Sequence, residues 1–340
     1  ATSEELREGF PRFRRRLERI QASVDWRLPI PFFSPERCEH GGAFWEAIGD
    51  DLQTLERGAD VINADVLDAW FPPSTAVLES LERHLAWIVR TSPPTGCEGM
   101  IRSIAHARGV DPRCVLPGDG SSALIFLAFR AWLTPASRAL ILDPTYGEYA
   151  HLLERVVRCK VDRLELSPDA GYALDASRLA GCLAERYDLV ALVNPNSPTG
   201  RHVPGAELEA ALAKAPASTR VWIDETYVDY AGSNESLERF AAASENVVVS
   251  KSMSKVYALS GLRAAYLCAP PRIVEELKEL TPPWAVSLPA QIAAIEALRD
   301  TKYYAARWAE THSLRAELVE ALSARLRMEI VPSVTNFIFC

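Results

Sequence analysis

The stretch NVVVSKSMSKVYALSGLRAAYLCAP, residues 246–270, places a loop of lysines, serines and an arginine between two short apolar runs. Apolar runs that are rich in β-branched residues and bounded by turn residues predict buried strands. Three similar runs precede it, RALILD (138–143), LVALVNP (189–195) and RVWIDE (220–225). Helical patterns lie between the runs, namely SSALIFLAFRAWL, YGEYAHLLERVV and GAELEAALAKA. This alternation predicts an α/β fold around a mainly parallel sheet flanked by helices.

The composition narrows the class of protein. The chain has 340 residues, of which 48% are hydrophobic and 24% charged, and this is typical of a globular protein with a sizeable core. Its net charge of −8 argues against nucleic acid as a partner. One basic cluster, RFRRRLER at 12–19, is flanked by acidic residues. It fits a solvated helix face better than a functional basic patch.

The cysteines argue for a reducing compartment. All seven stand singly, at positions 38, 97, 114, 159, 182, 268 and 340. There is neither a CxxC pair nor a Cys/His ligand spacing, so we expect no disulfide framework and no metal site. The N-terminal sequence lacks the apolar run of a signal peptide, and no stretch of roughly eighteen apolar residues could span a membrane. We therefore expect a cytoplasmic protein with no membrane partner.

Polar residues follow the apolar runs, at the edge where parallel sheets form their sites. GDGSSAL (118–124) leads into a helix, so its backbone N–H groups favour an anion, unless the turn is only a helix cap. NPNSPTG (194–200) offers short polar side chains on a loop held by prolines, or is a plain turn. In WIDETYVDY (222–230), Asp224 leaves a hydrophobic strand and needs a partner. That partner is a protonated heterocyclic nitrogen or the N–H groups of the next turn, and Tyr227 could hydrogen-bond an adjacent ring oxygen.

The loop at 250–263 carries two of only six lysines in the chain, against 31 arginines. A lysine among hydroxyls, followed by Arg263, suits an amine that forms a Schiff base while the serines and the arginine hold a phosphate. Taken alone, the loop fits two exposed lysines, Lys251 and Lys255. Taken together, the anion cup, the carboxylate, the phenol and the amine match the contacts that pyridoxal 5′-phosphate needs.

These motifs also carry a family resemblance. The order GDGSS, DPTYGEY, NPNSPTG, DETY and SxSKxxxLSGLR resembles fold-type-I aminotransferases of class I/II. It is most similar to the branch of histidinol-phosphate aminotransferases and threonine-phosphate decarboxylases, over roughly residues 38–340. The resemblance implies a PLP-dependent enzyme fold with a mainly parallel seven-stranded sheet. It implies an arm and part of a small domain over 1–62, a large PLP-binding domain over 63–280, and a small domain over 281–340 that is incomplete relative to the family.

The resemblance assigns roles to the cofactor side of the site. Lys255 would be the Schiff-base lysine and Lys251 a bystander, while Asp224 would pair with the ring nitrogen and Tyr227 with the neighbouring ring oxygen. Tyr146 would stack on the ring, unless it is a core tyrosine at a helix start. The residues implied to hold the phosphate are Gly120, Ser121, Ser122, Ser252 and Arg263.

The asparagine that the family places before Pro-Thr-Gly is Ser197 here. Asn196, one residue earlier, is therefore the candidate for the ring oxygen. A tyrosine of the family that reaches the neighbouring subunit's cofactor is replaced in VRTSPPTG (89–96) by Thr91 or Ser92. We still expect a homodimer.

On the substrate side, CEHGGAFWEA (38–47) resembles the decarboxylase branch's HGG segment, which handles the substrate phosphate. His40, Gly41 and Gly42 are thus candidates, although His40 could be an ordinary loop histidine. VINADVLDAWFPP (61–73) resembles the stretch that lines the substrate side of the ring. It points to Ala64 and Asp65, and an aspartate stands where that branch tends to have asparagine.

The expected activity is aminotransfer on an amino acid or a phosphorylated amino-acid-like substrate. A decarboxylase, or another transformation at Cα in a biosynthetic pathway, is the alternative, because both reactions share every group up to the bond that breaks. A regulator or an inactive relative is disfavoured, since neither Lys255 nor Asp224 is lost. The apolar run TNFIFC (335–340) is expected to be a strand at the end of the chain.

Overall fold

The computed structural model of the protein describes residues 41–325 and 328–340. Its centre is a seven-stranded sheet with the order β1-β7-β6-β5-β4-β2-β3. The strands are β1 Val115–Asp119, β2 Arg138–Asp143, β3 Lys160–Glu165, β4 Leu189–Val193, β5 Arg220–Asp224, β6 Val247–Ser252 and β7 Ala264–Cys268. Among these strands only β7 is antiparallel to its neighbours. The prediction of a mainly parallel α/β sheet is confirmed.

The sequence did not indicate the two edge strands, β1 and β3. β1 contains Pro117, which has no backbone N–H to donate, and Gly118, and strands tolerate these residues mainly at a sheet edge. β3 has charged residues at most of its exposed positions. An edge strand pairs with a neighbour on one side only, and its exposed positions carry polar or charged residues. Its apolar pattern is therefore weak.

Helices cover both faces of the sheet. In chain order they are α1 Ala43–Ile48, α2 Thr75–Arg90, α3 Glu98–Arg108, α4 Ser121–Trp132, α5 Gly147–His151, α6 Ala176–Leu183, α7 Gly205–Leu212, α8 Val228–Ala231, α9 Glu238–Ala243, α10 Pro271–Lys278, α11 Leu288–Arg299 and α12 Thr301–Ser323. A π-helical turn over Leu152–Val157 continues α5. None of these helices, within the described ranges, is both long enough and apolar enough to cross a membrane.

Strand β4 shows how the core is divided. All five of its residues are buried. Successive side chains of a strand point to opposite faces, so Leu189, Ala191 and Val193 pack in one cluster, with α4. Val190 and Leu192 pack in a second cluster, with α6 and α7. A third cluster joins α2, α3, α11 and α12 to the β1–β7 edge.

The predicted strand at 335–340 is wrong. Only an isolated bridge, Val331 to Phe339, forms there. The side chains of Ser333 and Thr335 hydrogen-bond to each other, and they accept from the backbone N–H groups of Thr335 and Phe337, respectively. Such local bonds to Ser and Thr compete with strand pairing. The division into an arm, a large domain and a small domain stays a prediction.

Candidate active site

Predicted residues of the cofactor side lie at one edge of the sheet. Asp224 is the last residue of β5, Ser252 is the last of β6, and Asn194 directly follows β4. These strands are parallel, so their carboxyl ends share an edge. β1 runs in the same direction, since both it and β6 are antiparallel to β7, and it delivers Gly120 to this edge.

Gly120 and Arg263 form a close contact at the start of α4. Gly120 has a φ of 82°, a conformation that side chains rarely adopt. A Cβ built there would overlap the guanidinium of Arg263. The first turn of a helix presents unsatisfied N–H groups and the positive end of the helix dipole. A guanidinium held against this turn makes a cup suited to a phosphate.

A buried acid lies beside this cup. Glu148, 4% exposed, accepts hydrogen bonds at one oxygen from Ser122 Oγ (2.8 Å) and from the hydroxyl of Tyr146 (2.7 Å). The contact therefore directs the Ser122 hydroxyl toward Glu148. No pattern in the sequence pointed to Glu148, although it lies within the quoted DPTYGEY motif.

The carboxylate of Asp224 is held from two sides. Its Oδ1 accepts from the backbone N–H of Thr226 (2.9 Å), as the turn-capping alternative predicted, and from the Thr226 hydroxyl (2.6 Å). Its Oδ2 accepts from the hydroxyl of Tyr149 (2.8 Å), which accepts in turn from Trp222 Nε1 (3.0 Å). Burial raises the pKa of Asp224, and the hydrogen bonds from Thr226 and Tyr149 offset this only in part.

Asp224 lacks a cation among the described residues, since no lysine, arginine or histidine of this part of the chain pairs with it. A buried carboxylate with only neutral donors is stabilised by a positive charge. Tyr227 lies nearby, 5% exposed, with its ring edge-on to Phe337 at 5.1 Å. Burial and the negative charge of Asp224 raise the pKa of Tyr227, so its hydroxyl stays protonated and can donate.

The structure separates the two lysines of the loop. Lys255 reaches the site edge, where its Nζ lies 2.6 Å from Oδ1 of Asp68. Its carbonyl accepts from the hydroxyl of Tyr230 (3.0 Å), and Trp308 Nε1 donates to the carbonyl of Val256 (2.8 Å). These two bonds hold the backbone that carries Lys255.

The alternative that both lysines of the loop are exposed does not hold for Lys251. Lys251 is 1% exposed, and its Nζ lies 3.1 Å from Asp229 and 3.6 Å from Glu225. Arg108 adds a second cation, 2.9 Å from Asp229. Lys251 belongs to a strand, and the alternation of strand side chains turns it into this buried cluster.

The cluster has more carboxylates than cations, because Glu238 also lies in it, 3.5 Å from Arg108. Burial raises the pKa of Glu225 to about 7, with Lys251 opposing the rise and Glu238 adding to it. Arg108 and Lys251 more than offset burial at Asp229 and lower its pKa. Glu225 is thus the member of the cluster that carries a proton near neutrality.

The NPNSPTG loop uses most of its polar groups internally. Both hydrogens of the Asn196 amide are donated, to the carbonyl of Pro144 (3.0 Å) and to Thr199 Oγ1 (3.1 Å). In this conformation Asn196 has no N–H to offer a ring oxygen. Asn194 pairs with both backbone groups of Val203. The partly buried Ser197 is the remaining polar side chain of the loop.

Buried hydroxyls surround the lysine loop. Ser252 Oγ accepts from the backbone N–H of Ser254 at 3.3 Å. The hydroxyls of Ser250 and Ser254 are buried without a hydrogen-bond partner. Burying an unpaired hydroxyl costs free energy, so these oxygens favour a bound polar group. This loop and the cup at Gly120 together fit a phosphorylated cofactor.

The chain is similar in sequence to known proteins over most of its length. The family model "Aminotransferase class I and II" matches residues 81–340. The chain belongs to this family. Histidinol-phosphate aminotransferases from Moorella thermoacetica and Cupriavidus pinatubonensis are 30% and 35% identical to it over 250 and 233 residues. These alignments cover 73% and 68% of this chain but only 64% and 60% of the relatives, so the chain spans about three fifths of their length.

A solved structure has the same fold as this chain. Histidinol-phosphate aminotransferase from Sinorhizobium meliloti, in complex with pyridoxal-5′-phosphate, aligns with a TM-score of 0.75 and 20% sequence identity. The alignment covers 93% of this chain and 83% of that chain. The predicted fold class, with its seven-stranded sheet, is confirmed.

The substrate-side candidates that the structure describes lie together at the start of α1. Gly42 donates its backbone N–H to Asp65 Oδ2 (2.7 Å), and so does Phe44 (3.1 Å), so Asp65 caps the start of α1. A side chain at Gly41 would overlap Val66, so this glycine also packs against the segment that carries Asp65. The exposed Ala64 adjoins this contact. His40 lies outside the described residues, as does the basic cluster at 12–19.

Two further predictions on this family member stay untested. Thr91 closes α2, with its N–H donating to the carbonyl of Ile88 (3.4 Å), and the exposed Ser92 follows. Tyr146 is the residue just before α5, with its ring edge-on to Tyr149 at 5.9 Å.

Proposed function

We propose that the chain is a PLP-dependent aminotransferase that acts on a phosphorylated amino-acid-like substrate. One observation carries the proposal: a buried carboxylate without a cation (Asp224), a lysine (Lys255) and a guanidinium at a helix start (Arg263) converge on one sheet edge. The names of the relatives, histidinol-phosphate aminotransferases, support the substrate class.

The residues present fit the cofactor. Arg263 and the N-terminus of α4 at Gly120 would hold its phosphate, Asp224 its ring nitrogen, Tyr227 the oxygen on the ring, and Lys255 its aldehyde carbon. When bound, pyridoxal phosphate supplies an electron sink for the carbanion that forms at Cα of the substrate.

The protein's own groups control the protons. Asp224 keeps a proton on the ring nitrogen because a buried carboxylate favours a cation beside it. Once its nitrogen is free, Lys255 can take the proton from Cα and return it elsewhere, as a general base and then a general acid. Tyr230 and Trp308 hold the carbonyls of Lys255 and Val256, and so the backbone that carries that nitrogen, which preserves the aim of the proton transfer.

Absorbance spectra of the purified protein test the proposal. Wild type should develop the visible band of lysine-bound cofactor on addition of pyridoxal phosphate, and Lys255→Ala should not. Lys278→Ala, which removes an exposed lysine, is the matched control. A wild-type protein without the band would refute the proposal.

A second assay separates the two reactions. Histidinol phosphate and phosphothreonine are supplied as amines, and keto product and carbon dioxide are measured in parallel. Keto product supports aminotransfer, whereas release of carbon dioxide from phosphothreonine would replace it with decarboxylation.

We also propose that the enzyme is a homodimer. Leu78, Leu85 and Val89 recur on one side of α2 and are 46%, 55% and 76% exposed. An apolar stripe of this kind on a monomer is a candidate contact surface, and Thr91 and Ser92 follow it. Light scattering that gives the mass of one chain would contradict the dimer. The cytoplasm is the proposed location, because the six cysteines among the described residues carry free thiols.

A further inference from the structure

Asp68 is the acid that faces the catalytic lysine. Its Oδ1 lies 2.6 Å from Lys255 Nζ and accepts from Ser260 Oγ, also at 2.6 Å. Lys255 and Ser260 are 187 and 192 residues from Asp68 along the chain. The neighbouring Asp65, to which the sequence pointed, instead caps α1. No local pattern distinguishes these two aspartates of VINADVLDAWFPP.

The backbone around Asp68 is tied down. Asn336 Nδ2 donates to the carbonyls of Leu67 (3.2 Å) and Asp68 (3.3 Å). Ser260 binds the side chain from the loop that leads to Arg263. The carboxylate is therefore placed by two segments that are distant in sequence, and a group placed in this way keeps its aim during a reaction.

The charges around Asp68 keep it ionised. Burial alone would raise its pKa, but hydrogen bonds from Lys255 and Ser260 and the positive charges of Lys255 and Arg263 lower the pKa below the ordinary value. The side chain of Asp68 is 40% exposed and that of Lys255 is 22% exposed, so a solute can reach the pair from solvent.

We propose that Asp68 is a further catalytic residue, which holds the amine that is not joined to the cofactor. This inference rests on the proposed function, because it assigns a role in amine exchange. A substrate amine arrives as an ammonium, whereas Lys255 is joined to the cofactor when the exchange begins. The incoming nitrogen would form its bond to the carbon that carries Lys255 while the bond from that carbon to Nζ breaks. The ammonium gives up two hydrogens and Nζ gains two, so Lys255 leaves as a neutral amine, the positive charge stays on the substrate nitrogen, and atoms and charge balance.

A carboxylate at this place can pair with the incoming ammonium and then accept a hydrogen bond from the displaced amine. With the substrate outside, it binds the approaching cation beside the carbon that will be attacked. After the exchange, it holds Lys255 as it does in the structure. This role explains why Asp68 lies beside Lys255, a lysine that must leave the cofactor and rejoin it in every catalytic cycle.

Lysine labelling of the cofactor-free protein tests the pairing directly. An amine-reactive reagent is applied at neutral pH to wild type, Asp68→Asn and Asp169→Asn, and modification is followed at each lysine by mass spectrometry. Asp68 holds the amine of Lys255 in a charge-assisted hydrogen bond. Without that bond, in Asp68→Asn, Lys255 should be labelled about tenfold faster relative to the exposed Lys278. Asp169→Asn removes the same charge at an exposed site and should change nothing. Equal labelling of Lys255 in all three proteins would overturn the pairing.

Half-reactions of the loaded enzyme test the docking role. Loss of the visible band is followed after rapid mixing with histidinol phosphate. For Asp68→Asn the half-saturating concentration should rise about tenfold while the maximal rate changes far less, and Asp68→Glu, which keeps the charge, should recover part of the difference. An unchanged half-saturating concentration removes the role of Asp68 and leaves the proposed function standing. A wild-type protein that forms no band removes the proposed function itself.

Discussion

Replacing Lys251 by methionine should destabilise the protein in a pH-dependent way. The change shortens the side chain by one atom and removes its charge from a cluster in which Lys251, Glu225 and Asp229 are each 4% exposed or less. Breaking a buried ion pair typically costs about 3–5 kcal/mol, because the partner is left unpaired. We expect the lower end, about 3 kcal/mol, since Asp229 keeps Arg108 at 2.9 Å.

The pH dependence follows from Glu225. Its pKa is about 7 in the folded protein against the ordinary 4.5. The folded chain therefore binds a proton that the unfolded chain has released. Between those pH values the free energy of unfolding falls as pH rises, by about 3 kcal/mol from this group. Lys251 lowers the pKa of Glu225. Without Lys251 that pKa rises further, so the pH range over which the free energy of unfolding falls extends above pH 7.

The penalty of Lys251→Met should therefore be about 3 kcal/mol near pH 8 and less than half of that near pH 5.5, where Glu225 is neutral. Urea titrations followed by tryptophan fluorescence and far-ultraviolet circular dichroism measure it. Lys278→Met is the matched control: it removes an exposed lysine and should change the free energy of unfolding by less than about 0.5 kcal/mol. A penalty below about 1 kcal/mol at pH 8, or one equal at both pH values, would refute the argument from the buried cluster.

Two substitutions probe the cofactor side of the site. Tyr149→Phe removes the donor to Asp224 Oδ2, so it should lower the free energy of unfolding by about 1–3 kcal/mol and weaken pyridoxal phosphate binding about tenfold by absorbance titration; unchanged binding would contradict the link through Asp224. Gly120→Ala puts a Cβ into the guanidinium of Arg263 at a positive φ, so cofactor affinity should fall at least about tenfold. Gly181→Ala is the matched control: Gly181 lies in α6 with open space around it, so cofactor affinity should not change. An equal loss of affinity in both variants would contradict the argument.

Local patterns in the sequence determined much of the fold. The apolar runs of β2, β4, β5, β6 and β7 predicted strands close to their observed bounds, because a strand buried on both faces needs a continuous apolar run. Parallel strands also share one carboxyl edge, so residues that follow separate runs, such as Asp224 and Ser252, could be placed together before any contact was known. The edge strands escaped prediction because their pairing partners, not their own residues, stabilise them.

Only the tertiary structure decided which groups meet. The motif resemblance had selected Lys255 over Lys251, but only the register of β6 shows that Lys251 is buried among carboxylates, while Lys255 lies beyond the strand and reaches Asp68. Tyr149 meets Asp224 across 75 residues in the same way. Contacts between segments so far apart depend on how the elements pack, and local propensity does not encode packing. The sequence by itself therefore determined the elements, the edge at which the site lies and, through its motif, the choice of Lys255, and the packing decided what surrounds each lysine and which acid faces Lys255.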